Sequence, residues 1–225
     1  MDALDSGSLV PREDKVFRPD HLVYFFYGRP SYRVHMDEHP SGLSHYLPVC
    51  IIFRPTGLPT PKRVFPFDTG AFHAGLYSNA MHQDMSIADF GLDPDLTSAG
   101  KLVSLFFESA KDYLEAKPRT SVPIASTDFE AHSFHALIAQ QTRSNADDRV
   151  SAVELQFDCP ISLASHAQAI VAPGPLLDSP IVKASLARMT IEPLPYEQLG
   201  RHRPSDHVAG LFQICFEYYR RSGIL

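Results

Sequence analysis

The sequence predicts an α+β fold, and two patterns carry that prediction. Short apolar stretches of strand-like composition are separated by turns, and 19 prolines are spread through the 225 residues. Between and after these stretches lie segments whose apolar residues recur at helical spacing. Several short strands together with about three helices indicate sheets that are flanked by helices.

The composition is that of a globular chain, with 44% hydrophobic and 20% charged residues. Residues 1–20 are polar and lack periodicity, so we predict a mobile N-terminal tail there. The remaining residues, 21–225, are long enough to form one large core, and we predict a single domain over this range.

Three strands are predicted in the first part of the chain. Residues 21–27 are aromatic and apolar, residues 47–53 are nearly all apolar, and residues 63–67 form a third short run. The second run has the composition of a strand that is buried on both faces. A stiff connection with three prolines joins it to the third run, and we expect the two to pair as a hairpin.

Helices and strands are both predicted in the rest of the chain. Thr97 or Ser98 is expected to cap a helix that runs to about residue 115, and further helices are predicted over residues 128–142 and 206–221. The alternation of residues 150–157 and the apolar runs 167–172 and 186–191 predict three more strands.

Charge and cysteine usage narrow the function classes. The net charge of −6 and the pI of about 6.0 argue against broad, salt-driven binding to nucleic acid, although a local basic patch stays open. The three cysteines are far apart in the sequence and are predicted to be reduced core residues. With no signal peptide and no apolar run of membrane-spanning length, we expect a cytoplasmic protein without a membrane partner.

The first strand ends in an unusual turn. Gly28 and Pro30 are turn-forming residues, and they place Arg29 at the end of the strand. An arginine fork there suits a phosphate or diphosphate, because its planar donors match two oxygens at once. The alternative is an aromatic core strand that ends in a solvated loop.

Glu154 lies in the middle of a predicted strand. By alternation it shares a face with Ala152 and Gln156. This face is either the solvent-exposed side of the strand or a rigid platform that faces a cleft. In the second case the carboxylate could stabilise an oxocarbenium-like centre or act as a general base.

Two further patterns suggest other chemistry. The turn Asp68-Thr69-Gly70 is typical of aspartic proteases, which need two such turns to share a proton. The chain has one, so it is not predicted to be an aspartic protease. His132 and His135 can share a helix face, which leaves a metal-dependent hydrolase or nuclease as an alternative. No nucleophile elbow, P-loop or dinucleotide-binding glycine pattern is present, so the common hydrolase, NTPase and Rossmann classes lack support.

Three segments resemble, in order, motifs of the DarT-type ADP-ribosyltransferase toxins. Residues 24–32, Tyr-Phe-Phe-Tyr-Gly-Arg-Pro-Ser-Tyr, resemble the family motif Phe-Tyr-Phe-X-X-Arg-Ser-Pro-Met. Residues 64–71 resemble its Val-Phe-Thr-Asp-Gly-His-Ala turn. Residues 149–155 resemble its Gln-Ala-Glu-Phe-Leu-Val strand, which carries the catalytic glutamate.

The resemblance implies an ADP-ribosyltransferase-like fold of split mixed and antiparallel sheets. It also implies transfer of ADP-ribose from NAD to an acceptor, usually a nucleic-acid base, by a toxin or phage-defence effector. Glu154 would be the catalytic carboxylate, and Arg29 would hold the NAD phosphate and help to activate the acceptor. Asp68 matches the aspartate of the turn and is assigned to the NAD site. No metal is needed, and an antitoxin partner is expected.

Neighbouring residues extend this predicted site. We add Tyr27 to the catalytic set and Tyr32 to the NAD contacts, because aromatic planes can stack on nicotinamide or on a base. Arg33 is added to the NAD contacts as a second arginine of the same turn. The acidic net charge favours single-stranded DNA or RNA over free duplex DNA as the acceptor.

The chain departs from the family pattern at its start. The family opens with a strand that bears His-X-Thr or His-X-Asn, followed by a helix, and both help to seat NAD. Residues 1–20 contain no such pattern. A catalytically inactive relative that acts as a binding or partner module is therefore the main alternative.

Overall fold

A computed structural model describes residues 2–33, 37–140 and 149–225 of the chain. Its helices and strands are mixed along the sequence, which confirms the predicted α+β class. The strands are β1 Ser8–Leu9, β2 Arg12–Glu13, β3 His21–Phe26, β4 Cys50–Phe53, β5 Arg63–Phe65, β6 Glu154–Phe157, β7 Ile161–Ser162, β8 Ala167–Pro173 and β9 Glu192–Tyr196.

The helices are more numerous than the sequence predicted. Within the described ranges, none of them has the length and apolarity needed to cross a membrane. The α-helices are α1 Asp2–Ser6, α2 Thr69–His73, α3 Leu96–Phe106, α4 Ala110–Leu114, α5 Phe129–Ile138, α6 Leu163–His166, α7 Gly174–Leu177, α8 Pro180–Met189 and α9 Val208–Arg221.

The chain divides into two compact units, where the sequence predicted one domain over residues 21–225. The central unit comprises Arg12–Ser31 and Thr60–Asp158. The terminal unit comprises Met1–Pro11, Tyr32–Pro59 and Cys159–Leu225. The segment predicted as a tail contributes regular structure to both units, because α1 and β1 belong to the terminal unit and β2 to the central one.

The central unit is built on an antiparallel sheet with the strand order β2-β3-β6-β5. Glu154, the first residue of β6, lies opposite Phe26 on one side and Phe65 on the other. The end of β3, the end of β5 and the start of β6 therefore meet at one edge of this sheet. All four residues of β6 are buried.

The predicted hairpin between the second and third strands is wrong. β5 pairs with β6 in the central unit, and β4 pairs with β8 in the terminal unit. Local sequence favoured a hairpin because the two runs are close along the chain. The hydrogen bonds of each strand are instead satisfied by a partner that lies far away in sequence.

The helix predicted from about residue 97 to 115 is two helices. Asp95, not Thr97 or Ser98, caps α3, because its carboxylate accepts a hydrogen bond from the Thr97 backbone N–H at 2.7 Å. Ser109 then caps α4. The next helix, α5, begins after Asp128 as predicted. It ends at Ile138, before the predicted end at residue 142.

An aromatic cluster supports the turn that follows β5. The fully buried ring of Phe67 packs against Phe72, Tyr77, Phe90 and Phe134, with ring centroids 5.1 to 6.4 Å away. Such packing holds the backbone in one place, since the rings interdigitate with little free volume. This packing therefore positions Asp68 and Thr69, which follow Phe67 in the chain.

The terminal unit contains a three-stranded sheet with the order β4-β8-β9, in which β8 is antiparallel to β4 and parallel to β9. The strand predicted over residues 186–191 is wrong, because residues 186–189 form the last turn of α8. Pro180 starts this helix at a position where no N–H is needed. The C-terminal helix is confirmed as α9, which buries Leu211, Cys215 and Tyr218.

Candidate functional site

Glu154 is buried at the start of the middle strand β6, with 1% of its surface exposed. The prediction that it shares a face with Ala152 and Gln156 is compatible with its surroundings, since these two residues are also buried. The interpretation of that face as the solvent-exposed side of the strand is wrong. The side chains of Thr69, in α2, and of Gln156 contact the Glu154 carboxylate there.

The Glu154 carboxylate accepts three hydrogen bonds from two side chains and one backbone group. The Thr69 backbone N–H donates to Oε2 at 3.0 Å, and the Thr69 hydroxyl donates to Oε1 at 2.7 Å. The Gln156 amide donates to Oε1 at 2.7 Å. These bonds fix the orientation of a charge that would otherwise be costly to bury.

Burial raises the pKa of Glu154 from its usual 4.5 to about 7. The hydrogen bonds from Gln156 and Thr69 oppose this shift, and the nearby charge of Asp68 adds to it. Near neutral pH the carboxyl group is therefore present in both protonation states. A carboxyl group with this pKa can accept and release a proton at physiological pH.

The orientation of Gln156 is set by a chain of polar contacts. Arg63 donates to Oε1 of Gln156 at 3.2 Å, so the amide must present its NH₂ group to Glu154. The guanidinium of Arg63 also pairs with Asp20. Sequence reasoning placed Gln156 beside Glu154 but assigned no role to it or to Thr69.

Asp68 organises the turn after β5. One carboxylate oxygen caps α2 by accepting from the Ala71 backbone N–H at 2.9 Å. The other accepts from Arg149 at 3.2 Å and from the hydroxyl of Ser31 at 3.3 Å. The side chains of the Asp68–Arg149 ion pair are both about nine-tenths buried, so this pair is part of the unit's interior.

Arg29 is buried, with 2% of its surface exposed, and the interpretation as a solvated loop residue is wrong. Gly28 turns the chain with a φ of +67°, a conformation that favours glycine. The guanidinium of Arg29 donates to the carbonyl of Tyr113 at 3.0 Å. Because the Tyr27 N–H bonds the Val153 carbonyl at 2.9 Å, the Arg29 turn directly follows the sheet edge at which Glu154 lies.

Tyr113 is a further residue of this edge that the sequence did not reveal. Its hydroxyl donates to the carbonyl of Tyr27 at 2.7 Å and accepts from the backbone N–H of Val153 at 3.3 Å. Burial raises the pKa of this phenol, so it stays protonated. The Tyr27 ring is half-buried, with its hydroxyl beside Gly100 of α3.

The predicted site residues divide between the two units. Glu154, Arg29, Tyr27 and Asp68 belong to the central unit, where the edge formed by β3, β5 and β6 brings their backbones together. Two other predicted NAD contacts, Tyr32 and Arg33, belong to the terminal unit. There the Tyr32 hydroxyl donates to Glu38 at 2.8 Å, and the Arg33 side chain is exposed.

The two histidines of the metal alternative make separate backbone contacts. Nε2 of His132 lies 3.1 Å from the carbonyl of Ala125, and Nε2 of His135 lies 2.8 Å from the carbonyl of Arg119. In the part of the chain that the structure describes, no group of three or more His, Cys, Asp or Glu side chains is arranged to hold a metal ion. The structure therefore adds no support to a metal-dependent hydrolase.

The chain matches no family model, and no curated protein or solved structure matches it either. The resemblance to the ADP-ribosyltransferase toxins therefore rests on the three segments alone. The arrangement of side chains in the central unit is the other observation from which a function can be proposed.

Proposed function

We propose that the chain is an NAD-dependent ADP-ribosyltransferase that modifies a nucleic-acid base, as a toxin or phage-defence effector. The observation that carries the proposal is the buried carboxyl group of Glu154, with a pKa of about 7, at the start of the middle strand. The three segments that resemble the toxin family also support it, because they are neighbours at one sheet edge.

The proposed reaction assigns one chemical task to Glu154. The bond between nicotinamide and ribose breaks, and its electron pair leaves with nicotinamide. The ionised carboxylate stabilises the cationic ribose. A nucleophilic nitrogen or oxygen of the acceptor then forms a bond to the ribose carbon and gives its proton to Glu154.

Binding of NAD is assigned to the residues that surround this edge. Arg29 supplies a positive charge for the diphosphate, and Tyr27 supplies an aromatic plane beside it. Asp68 acts indirectly, because it caps α2 and thereby holds Thr69 against Glu154. The roles of Tyr32 and Arg33 in NAD binding stay predictions, as does an antitoxin partner.

The test is transfer of labelled ADP-ribose from NAD to single-stranded DNA, to RNA or to cell lysate. We expect transfer by the wild type and by the control Asp158→Asn, which alters an exposed carboxylate of the same chain segment. Glu154→Gln should lower the rate by about 100-fold or more, the range expected for a general base. Wild-type activity should rise as the pH passes through about 7, since the ionised form acts.

A loss of activity supports the proposal only if the variant folds. Circular dichroism and thermal melting of Glu154→Gln therefore accompany the transfer assay. Equal label transfer by the wild type and a folded Glu154→Gln variant would contradict the assignment of the catalytic carboxylate. Arg29→Lys, which keeps the charge but loses the planar fork, should weaken NAD binding.

A second candidate is the catalytically inactive relative that acts as a binding module. It is favoured by the fact that both oxygens of Glu154 accept hydrogen bonds from the protein and that only 1% of the residue is exposed. In that case wild-type protein neither binds nor consumes NAD. Calorimetric titration of the wild type with NAD distinguishes the two candidates.

A further inference from the structure

The terminal unit contains a pair of thiols that the proposed transferase reaction does not use. Cys50 is the first residue of β4, and Cys215 lies in the middle of α9. Their sulfur atoms are 3.9 Å apart, although the residues are separated by 165 positions in the chain. Both thiols are free. The fold, and not local sequence, therefore creates this contact.

The two cysteine residues differ in the fraction of their surface that is exposed. Cys215 is buried, with 1% of its surface exposed, inside an apolar cluster that includes Leu47, Ile52 and Leu211. Cys50 packs on the same cluster but is partly exposed. Cys50 is therefore the residue of this pair that has more of its surface in contact with solvent.

We propose that Cys50 and Cys215 form a redox modification site, in which a peroxide converts the two thiols into a disulfide that links β4 to α9. The sulfur of Cys50 attacks a peroxide oxygen, the O–O bond breaks, and a sulfenic acid and one water form. The sulfur of Cys215 then attacks the Cys50 sulfur. The S–O bond breaks, and the hydroxyl leaves as a second water with the Cys215 proton.

The direction of the hydrogen bond between the two thiols agrees with the order of attack proposed for them. The Cys215 thiol donates to the Cys50 sulfur, which lowers the pKa of Cys50 and raises that of Cys215. The thiolate is the reactive form of cysteine, so Cys50 is the attacking sulfur and Cys215 the resolving one. A sulfenic acid next to a second thiol is consumed quickly as a disulfide.

The resulting disulfide would have a measurable effect on stability. It closes a loop of 165 residues, and a cross-link over a long loop restricts the unfolded chain strongly. We expect the melting temperature to rise by several degrees after oxidation and to return when a reductant is added. Cys159, the third cysteine, is partly exposed and serves as an internal control.

The experiment is peroxide treatment of the reduced full chain, followed by alkylation, proteolysis without reduction and mass spectrometry. We expect a peptide pair that joins Cys50 to Cys215 with the loss of two hydrogen atoms, while Cys159 is alkylated.

The variant Cys159→Ser should form the same link, and Cys215→Ser should leave a sulfenic acid on Cys50 that dimedone traps. The inference is overturned if Cys50 and Cys215 both remain alkylatable after peroxide treatment, or if the links involve Cys159. The wild-type map alone decides this, even where a variant does not fold.

Discussion

The two units bury different kinds of side chain. In the described ranges, the terminal unit buries one polar side chain, that of Ser185, whereas its other buried residues are apolar, aromatic or cysteine. The buried polar and charged side chains of the central unit are Arg29, Asp68, Thr69, Ser98, Arg149, Ser151, Glu154 and Gln156. The described part of the terminal unit fills its core without any buried charged side chain. Buried charges cluster at functional sites more often than elsewhere, so the central unit is where we look for a site.

The middle strands of the two sheets show this difference in the polarity of buried side chains. β8 of the terminal unit has the buried run Ala169–Ala172, which is apolar throughout. β6 of the central unit has the sequence Glu-Leu-Gln-Phe and is buried at every position. Burying a carboxylate and an amide side by side is tolerated because each is hydrogen-bonded to a partner. Such a network specifies one arrangement of the strand edge, and this is what a reactive site needs.

The largest expected effect comes from the Asp68–Arg149 ion pair. Asp68→Ala should lower the free energy of unfolding by about 3–5 kcal/mol, because it leaves the buried Arg149 without this carboxylate and removes the cap of α2. Urea unfolding followed by circular dichroism measures the change. Hydrogen exchange should locate the loss of protection in the central unit.

The matched control lies in the terminal unit. Glu192→Ala removes the ion pair with Arg221, whose two side chains are about half exposed. An exposed pair contributes below about 1 kcal/mol, since water already solvates both charges. A similar loss of unfolding free energy in the two variants would mean that the buried ion pair contributes no more than the exposed one.

The second prediction concerns the pH dependence of stability. Folding raises the pKa of Glu154 from 4.5 to about 7, so between these values the native state holds a proton that the unfolded chain releases. The stability contributed by this group is therefore present below about pH 4.5 and is lost as the pH rises through 7. Relative to Glu154→Gln, the wild type should lose about 2–3 kcal/mol between pH 5 and pH 8.

Urea unfolding of both proteins at the two pH values tests this prediction. Asp158→Asn is the control, because it removes an exposed carboxylate close to Glu154 in the sequence. A wild type whose stability follows Glu154→Gln at both pH values would mean that the carboxyl group titrates normally. The proposed general base would then lack its physical basis.

The sequence predicted which residues of the central unit lie together better than it predicted the pairing of their strands. Alternation placed Glu154 and Gln156 on one face, and residues 64–71, which include the Asp68-Thr69-Gly70 turn, resemble a family motif. Neither pattern shows that the face is buried, because burial depends on β3 and β5, which come from distant parts of the chain. The hairpin error has the same cause, since strand partners are chosen by the whole fold.

Other errors arose where local signals were ambiguous. The apolar run at residues 186–191 fits a short strand as well as the last turn of a helix, and Pro180 was the signal that a helix begins earlier. No local pattern assigns a chemical role to Thr69, since a threonine in a turn is common. Its link to Glu154 spans 85 positions, which no local pattern encodes.

The smallest effect should come from the hydroxyl of Thr69. Thr69→Val removes the 2.7 Å hydrogen bond to Glu154 but keeps the size of the side chain and the backbone donor. A hydrogen bond to a charged group contributes about 2 kcal/mol, and its loss should also raise the pKa of Glu154 further. Thr69→Ser, which keeps the hydroxyl, should retain most of the stability and the wild-type pKa. NMR titration of the Glu154 side-chain carbon measures the pKa in each variant. If valine and serine give the same pKa, the hydroxyl does not stabilise the carboxylate, and the backbone donor together with Gln156 must hold it.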